Sequence, residues 1–101
     1  MWLFVFFDLP TETKSEVRVA TKFRKTLLEN GFIMFQFSIY LRSCPSRENV
    51  KVHEQRIKKI LPKYGKVGML AVTDKQFGMM EVFHGQKEIP IPQPTQQLQL
   101  F

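Results

Sequence analysis

Few residues in this chain could carry chemistry. Nine carboxylates are spread over 101 residues. One of them, Asp8, stands directly behind an apolar run, Trp2-Leu3-Phe4-Val5-Phe6-Phe7, with no turn residue between. A carboxylate there either ligates a cation or ends the strand, and residue type and position leave both readings open. A single Asp is a poor site for Mg²⁺ or Ca²⁺, which take several oxygen ligands, and a phosphodiester-cleaving centre usually holds more than one carboxylate. Glu12, Glu16, Asp74, Glu81 and Glu88 form no recognisable cluster with it. His53 falls on the apolar side of a helix and, with no second His or Cys at metal-ligand spacing, reads as a hydrogen-bonded core-edge residue and not as a catalyst or ligand. Cys44 is the only cysteine; it permits neither an intrachain disulfide nor a Cys-rich metal centre, and a reducing, cytoplasmic compartment suits it.

Cations are more plentiful. Fifteen Lys and Arg give a formal net charge of +6 and a pI near 9.7, which favours a polyanionic partner such as nucleic acid. At 100° per residue Lys14, Arg18, Lys22 and Lys25 fall on one arc of a helix, and Val17, Ala20, Phe23, Leu27 and Leu28 on another. Such a stripe is ordinarily a solvated surface. With little acid beyond Glu29 to offset it, this one suits a phosphate backbone. Arg24 falls outside the division, at the margin of the apolar arc. Arg42 and Arg47, after the following hairpin, are further candidate contacts.

The elements that must position these groups follow from patterning. An unbroken apolar run predicts a central strand buried on both faces, and Pro10 ends it near Asp8, at the rim of the sheet. Thr13-Lys14-Ser15-Glu16 has capping-box spacing, so a helix should begin at Lys14 and end at Asn30-Gly31. From Phe32 to Arg42 the chain is dense in strand formers but too long for one ordinary strand. A reversal near Gln36 and Phe37, giving two antiparallel strands, is the preferred reading. Ser46 should cap a second helix, with Val50, His53, Ile57, Ile60 and Leu61 on one face until Pro62 stops it. Lys66 to Thr73 reads as a buried strand, Asp74 to Gly78 as a turn, and Met79 to His84 as a short fifth strand.

Strand, helix, strand, strand, helix, strand is the order of a ferredoxin-like α+β sandwich, here with an extra C-terminal strand. The division expected is a domain over 1–84 and an extended Pro- and Gln-rich arm over 85–101. Pro90, Pro92 and Pro94 forbid a helix in that arm, while Gln97-Leu98-Gln99-Leu100 alternates as an added edge strand would. The arm is expected to pack on a second subunit. The N-terminal apolar run is too short for a membrane span and lacks the basic stretch of a signal peptide.

At this chain length oligomerisation often adds stability, and a homodimer is expected. Twofold symmetry also changes the carboxylate count. If the sheet face bearing Trp2, Phe4 and Phe6 packs against its copy, Asp8 approaches its symmetry mate and two carboxylates face one ion.

These residues resemble the small CRISPR-associated protein two of spacer acquisition. The likeness is carried by Val5-Phe6-Phe7-Asp8-Leu9-Pro10-Thr11, by Lys22-Phe23-Arg24-Lys25 with Leu27-Leu28 and Asn30-Gly31-Phe32, by Gln36-Phe37-Ser38-Ile39-Tyr40, and by Thr73-Asp74-Lys75-Gln76-Phe77. It runs to about His84, and the ending Leu98 to Phe101 looks like members from type II systems. The resemblance implies a ferredoxin-like homodimer that bridges dimers of the CRISPR integrase and supports double-stranded protospacer DNA for insertion into the repeat array, in antiviral defence. It also implies a possible metal-dependent endonuclease, with Asp8 as the catalytic and metal-binding residue and Mg²⁺ shared across the dimer. A free-standing Mg²⁺-dependent endoribonuclease resembling toxin nucleases is the alternative. An RNA-recognition module ranks last, because the chain lacks the basic, glycine, aromatic order of that module's central strand.

Overall fold

The computed structural model describes residues 1–94. Six strands and three helices follow in the order β1 (Trp2–Asp8), α1 (Lys14–Glu29), β2 (Ile33–Gln36), β3 (Ile39–Ser43), α2 (Arg47–Lys58), β4 (Lys66–Val72), α3 (Asp74–Gly78), β5 (Val82–His84) and β6 (Lys87–Ile89). The first four strands form one sheet in the order β2-β3-β1-β4, with every neighbouring pair antiparallel. This is the ferredoxin-like βαββαβ arrangement, with extra C-terminal strands paired as a separate hairpin.

β1 is central, and its alternation decides what each face of the sheet does. Leu3, Val5 and Phe7 point into a core shared with Phe23 and Leu27 of α1, Val50 and Ile57 of α2, and Phe32, Tyr40 and Cys44. Each large apolar side chain buried there contributes about 1.5–3 kcal/mol relative to exposure. The Phe7 ring meets Phe23 edge-on at 5.1 Å and stacks on Tyr40 at 5.7 Å.

The opposite face carries Trp2, Phe4, Phe6 and Asp8. It is covered at one end only: Trp2 stacks on Phe77 of α3 with centroids 4.0 Å apart, and Met80 and Ile91 pack on the same cluster. Burial of β1 on both faces therefore holds for Trp2 but fails toward the other end, where Phe6 is 45% exposed. β4 departs from the sequence reading for the same reason. None of its residues is fully buried, and Leu70, opposite Phe4 in the register, is 53% exposed.

Local signals account for the helices. Thr13 accepts from the Glu16 N–H at 3.1 Å and Glu16 accepts from the Thr13 N–H at 2.9 Å, completing the capping box. Asn30 caps the far end of α1 and Gly31 takes φ +85°. Of the apolar arc on α1, Ala20, Phe23 and Leu27 are buried, whereas Val17 and Leu28 stay exposed because α1 presents only a narrow seam to the sheet. α2 begins at the Ser46 cap and ends before Pro62, so Ile60 and Leu61 lie beyond it and are exposed.

The stretch from Phe32 to Arg42 is two strands. Phe37 and Ser38 make the reversal, with Ser38 at φ 65° and a register shift between Met34 and Gln36. Asp74 to Gly78, by contrast, is a helical turn and not an open one: Thr73 and Gln76 form a second reciprocal capping box, at 2.9 and 3.1 Å. The fifth strand is shorter than expected, and Lys87–Ile89, within the proline-flanked arm, returns along it as β6. The expected edge strand at Gln97-Leu98-Gln99-Leu100 lies outside the described residues.

Candidate metal and nucleic-acid interface

Asp8 ends β1 at the sheet rim because Leu9 and Pro10 follow it, and Pro10 cannot continue the ladder. Its side chain is exposed and has no hydrogen-bond or ion-pair partner among the described residues. Across the register stands Lys66, at the start of β4. Together they border a recess of about 440 Å³ with Phe6, Phe37, Ile39 and Gly68.

Backbone contacts hold this rim. The Phe7 N–H donates to the Ser38 carbonyl at 3.0 Å, tying the hairpin tip to the end of β1. Gly65, at φ +92°, passes so close to Asp8 that a Cβ would come within 2.7 Å of its carbonyl oxygen. Phe37, at the tip, is 85% exposed. The recess is thus an apolar floor with one carboxylate and one ammonium at its edge.

The donor set can be tested against a Mg²⁺ ion. Among the described residues no three His, Cys, Asp or Glu side chains gather as a metal site, and Asp8 has Lys66 as its cross-strand neighbour. One chain therefore supplies one hard oxygen ligand, too few for such an ion. The residue suits a cation only when a second carboxylate faces it, and its position on the open face allows that from another copy.

The four stripe residues, Lys14, Arg18, Lys22 and Lys25, are all exposed on α1. Arg47 is exposed in the first turn of α2. Arg42 differs: it is half-buried, and its Nη1 donates to the Asn30 carbonyl at 2.7 Å, closing the end of α1. Arg24, which the sequence left without a role, donates to the Thr21 hydroxyl at 3.2 Å and lies close enough to Tyr40 to oppose the upward push that burial gives the phenol pKa.

Neither histidine borders the Asp8 recess. His53 is buried on α2 with its ring edge-on to Phe32 at 6.4 Å, the core-edge place its pattern suggested. Its pKa is lowered to about 4, first by burial and then by Arg42 and Arg56. Burial likewise pushes the Cys44 thiol up, against the opposing charge of Arg42. Sequence reasoning missed Lys66, whose importance comes only from register, and the meeting of Arg42, His53 and Arg56, which come from separate turns of the fold.

Comparison with known proteins adds what geometry cannot. A family model described as CRISPR associated protein Cas2 matches residues 1–80. A CRISPR-associated endoribonuclease Cas2 of Flavobacterium psychrophilum is 58% identical over 101 residues, all of this chain and 88% of that protein. The protein of the same description from Parvibaculum lavamentivorans is 46% identical over the full length of both. That from Streptococcus mutans is 38% identical over 91 residues, 90% of this chain and 84% of its own.

Proposed function

The chain belongs to the CRISPR-associated Cas2 family, and from that premise we propose that it acts in CRISPR adaptation as a dimeric scaffold, bridging integrase dimers and supporting double-stranded protospacer DNA. The observation that carries this reading is the uncovered part of the sheet, where Phe6, two residues before Asp8, and Leu70, opposite Phe4, lie exposed. An apolar face of that kind calls for a partner, and a second copy of the same chain supplies a self-complementary one. The cationic face of α1 then carries the duplex through its phosphates, without reading bases. No helix of the described residues is long and apolar enough to cross a membrane.

In the dimer, Asp8 of each subunit would hold a shared Mg²⁺, which when bound polarises phosphoryl oxygens and acidifies water. Lys66 would neutralise charge on a neighbouring phosphate. Among the described residues no general base borders the Asp8 recess, so these residues orient and screen a phosphodiester better than they move protons. Scaffolding needs none of that chemistry.

The curated relatives are named endoribonucleases, which supports hydrolysis centred on Asp8 as the second reading. Asp8→Ala separates the two: spacer integration that survives the substitution favours the scaffold, and its loss together with divalent-dependent cleavage favours the enzyme. Sedimentation of the full chain should give the mass of two copies. A lone-subunit mass at working concentrations would remove the basis of both the bridge and the shared ion.

A further inference from the structure

A second recess, sharing no residue with that of Asp8, lies where the end of α1 meets β3 and α2. It has a volume of about 320 Å³ and is bordered by Glu29, Asn30, Gly31, Arg42, His53 and Arg56. Two guanidinium groups and an imidazole converge there against a single carboxylate. Arg42 is anchored through Nη1 on the Asn30 carbonyl, and Gly31 leaves room for it, since a Cβ there would run into the guanidinium. Arg56 is exposed at the mouth.

Two buried polar atoms at this place have no hydrogen-bond partner among the described residues, Nε of Arg42 and Nδ1 of His53, although His53 is only 4% exposed. Leaving such an atom unpaired costs the desolvation of the group with nothing in return, and small side-chain shifts toward a bound ion would satisfy both. The field has a definite sign: Arg42 and Arg56 both disfavour a proton on His53, so at the imidazole the two cations outweigh Glu29.

We propose that this recess binds a phosphate-class oxyanion, held between Arg42 and Arg56 with His53 beneath it. Guanidinium forks match phosphate oxygens in geometry and charge. An anion seated there favours the protonated imidazole, which then donates a further hydrogen bond. Free inorganic phosphate and a backbone phosphodiester share this chemistry.

The test is a pH titration of the histidine resonances of the full chain, in phosphate-free buffer and with excess inorganic phosphate. The His53 midpoint should rise from about 4 by about one unit. At neutral pH, where the fold is not challenged, the Arg42 and Arg56 Nε–H resonances should move with phosphate. Arg56→Gln should abolish both responses and Glu29→Gln should enlarge them. Arginine resonances that ignore phosphate, or a response that survives Arg56→Gln, would overturn the site. Its natural occupant follows from duplex binding. Weaker affinity of Arg56→Gln, with a salt slope smaller by about 0.9, identifies a backbone phosphodiester. Duplex affinity unchanged in Arg56→Gln, although that variant has lost the phosphate response of the parent chain, identifies the free ion.

Discussion

The Phe6 ring lies across Gly68, its direct partner in the β1–β4 register, and fills the space a side chain would take there. A Cβ on Gly68 would collide with the outer ring atoms, Cε2 and Cζ, which can swing away toward the uncovered face. Gly65 is another matter, because the atom its Cβ would meet is the Asp8 carbonyl and its φ is already +92°. The two glycines of one rim should therefore respond differently. Gly68→Ala should change stability by less than about 1 kcal/mol while weakening self-association, because it tilts Phe6 out of the face. Gly65→Ala should cost about 1–3 kcal/mol in urea denaturation. Equal losses at both would show that the ring is as fixed as the backbone.

Charge reversal on α1 tests the duplex surface. Lys22→Glu combined with Lys25→Glu should lower duplex affinity and reduce the slope of log K against log salt by about 2. Both side chains are exposed, so the urea midpoint should hold. Fluorescence anisotropy across a salt series gives the slope, and an unchanged one would make the stripe a solvated surface only.

His53 predicts an acid limit to stability. Its folded pKa, about 4, lies below the ordinary 6.5, so the unfolded chain binds the proton more tightly. Stability is fully present above pH 6.5 and is lost as pH falls toward 4, by at most on the order of 3 kcal/mol. Denaturation in phosphate-free buffer at the two ends of that window measures it. His53→Leu should flatten the dependence there, and an equally steep loss in that variant would assign the effect to other groups.

Trp2 reports on α3. Thr73→Ala removes the acceptor for the Gln76 N–H and should cost about 1 kcal/mol. Since α3 is what holds Phe77 on the indole at 4.0 Å, the emission of the chain's single tryptophan should shift to the red below the main transition. Emission identical to that of the parent chain would mean that Phe77 is seated by the sheet without help from the cap.

Signals confined to a few neighbouring residues were legible in the sequence. Thr13 with Glu16, Asn30 with Gly31, Ser46, and the break of a long apolar stretch near Phe37 each describe a local geometry, and each stands where expected. Thr73 with Gln76 is the same kind of signal. It hid because it follows directly on an apolar strand and leads to one helical turn, so Gly78 took attention as a turn residue. The hairpin over Val82–Ile89 was obscured by Pro90, Pro92 and Pro94, although Gly85, with φ +62°, marks its reversal. What local pattern could not supply was the partner of each face. β4 is apolar enough to be internal, yet its exposure depends on what covers the sheet from outside. For the site, Asp8 at a strand end was legible from Pro10. Lys66 opposite it required the register, and the Arg42, His53 and Arg56 recess required the topology.

β1 puts Leu3, Val5 and Phe7 on one side and Trp2, Phe4, Phe6 and Asp8 on the other. Insertion or deletion of a single codon within it would turn every residue between that point and the end of the strand to the opposite face, and a change before Asp8 would send the acid inward. Replacing one residue by another keeps the two faces distinct, whereas a change in the number of residues in this strand does not.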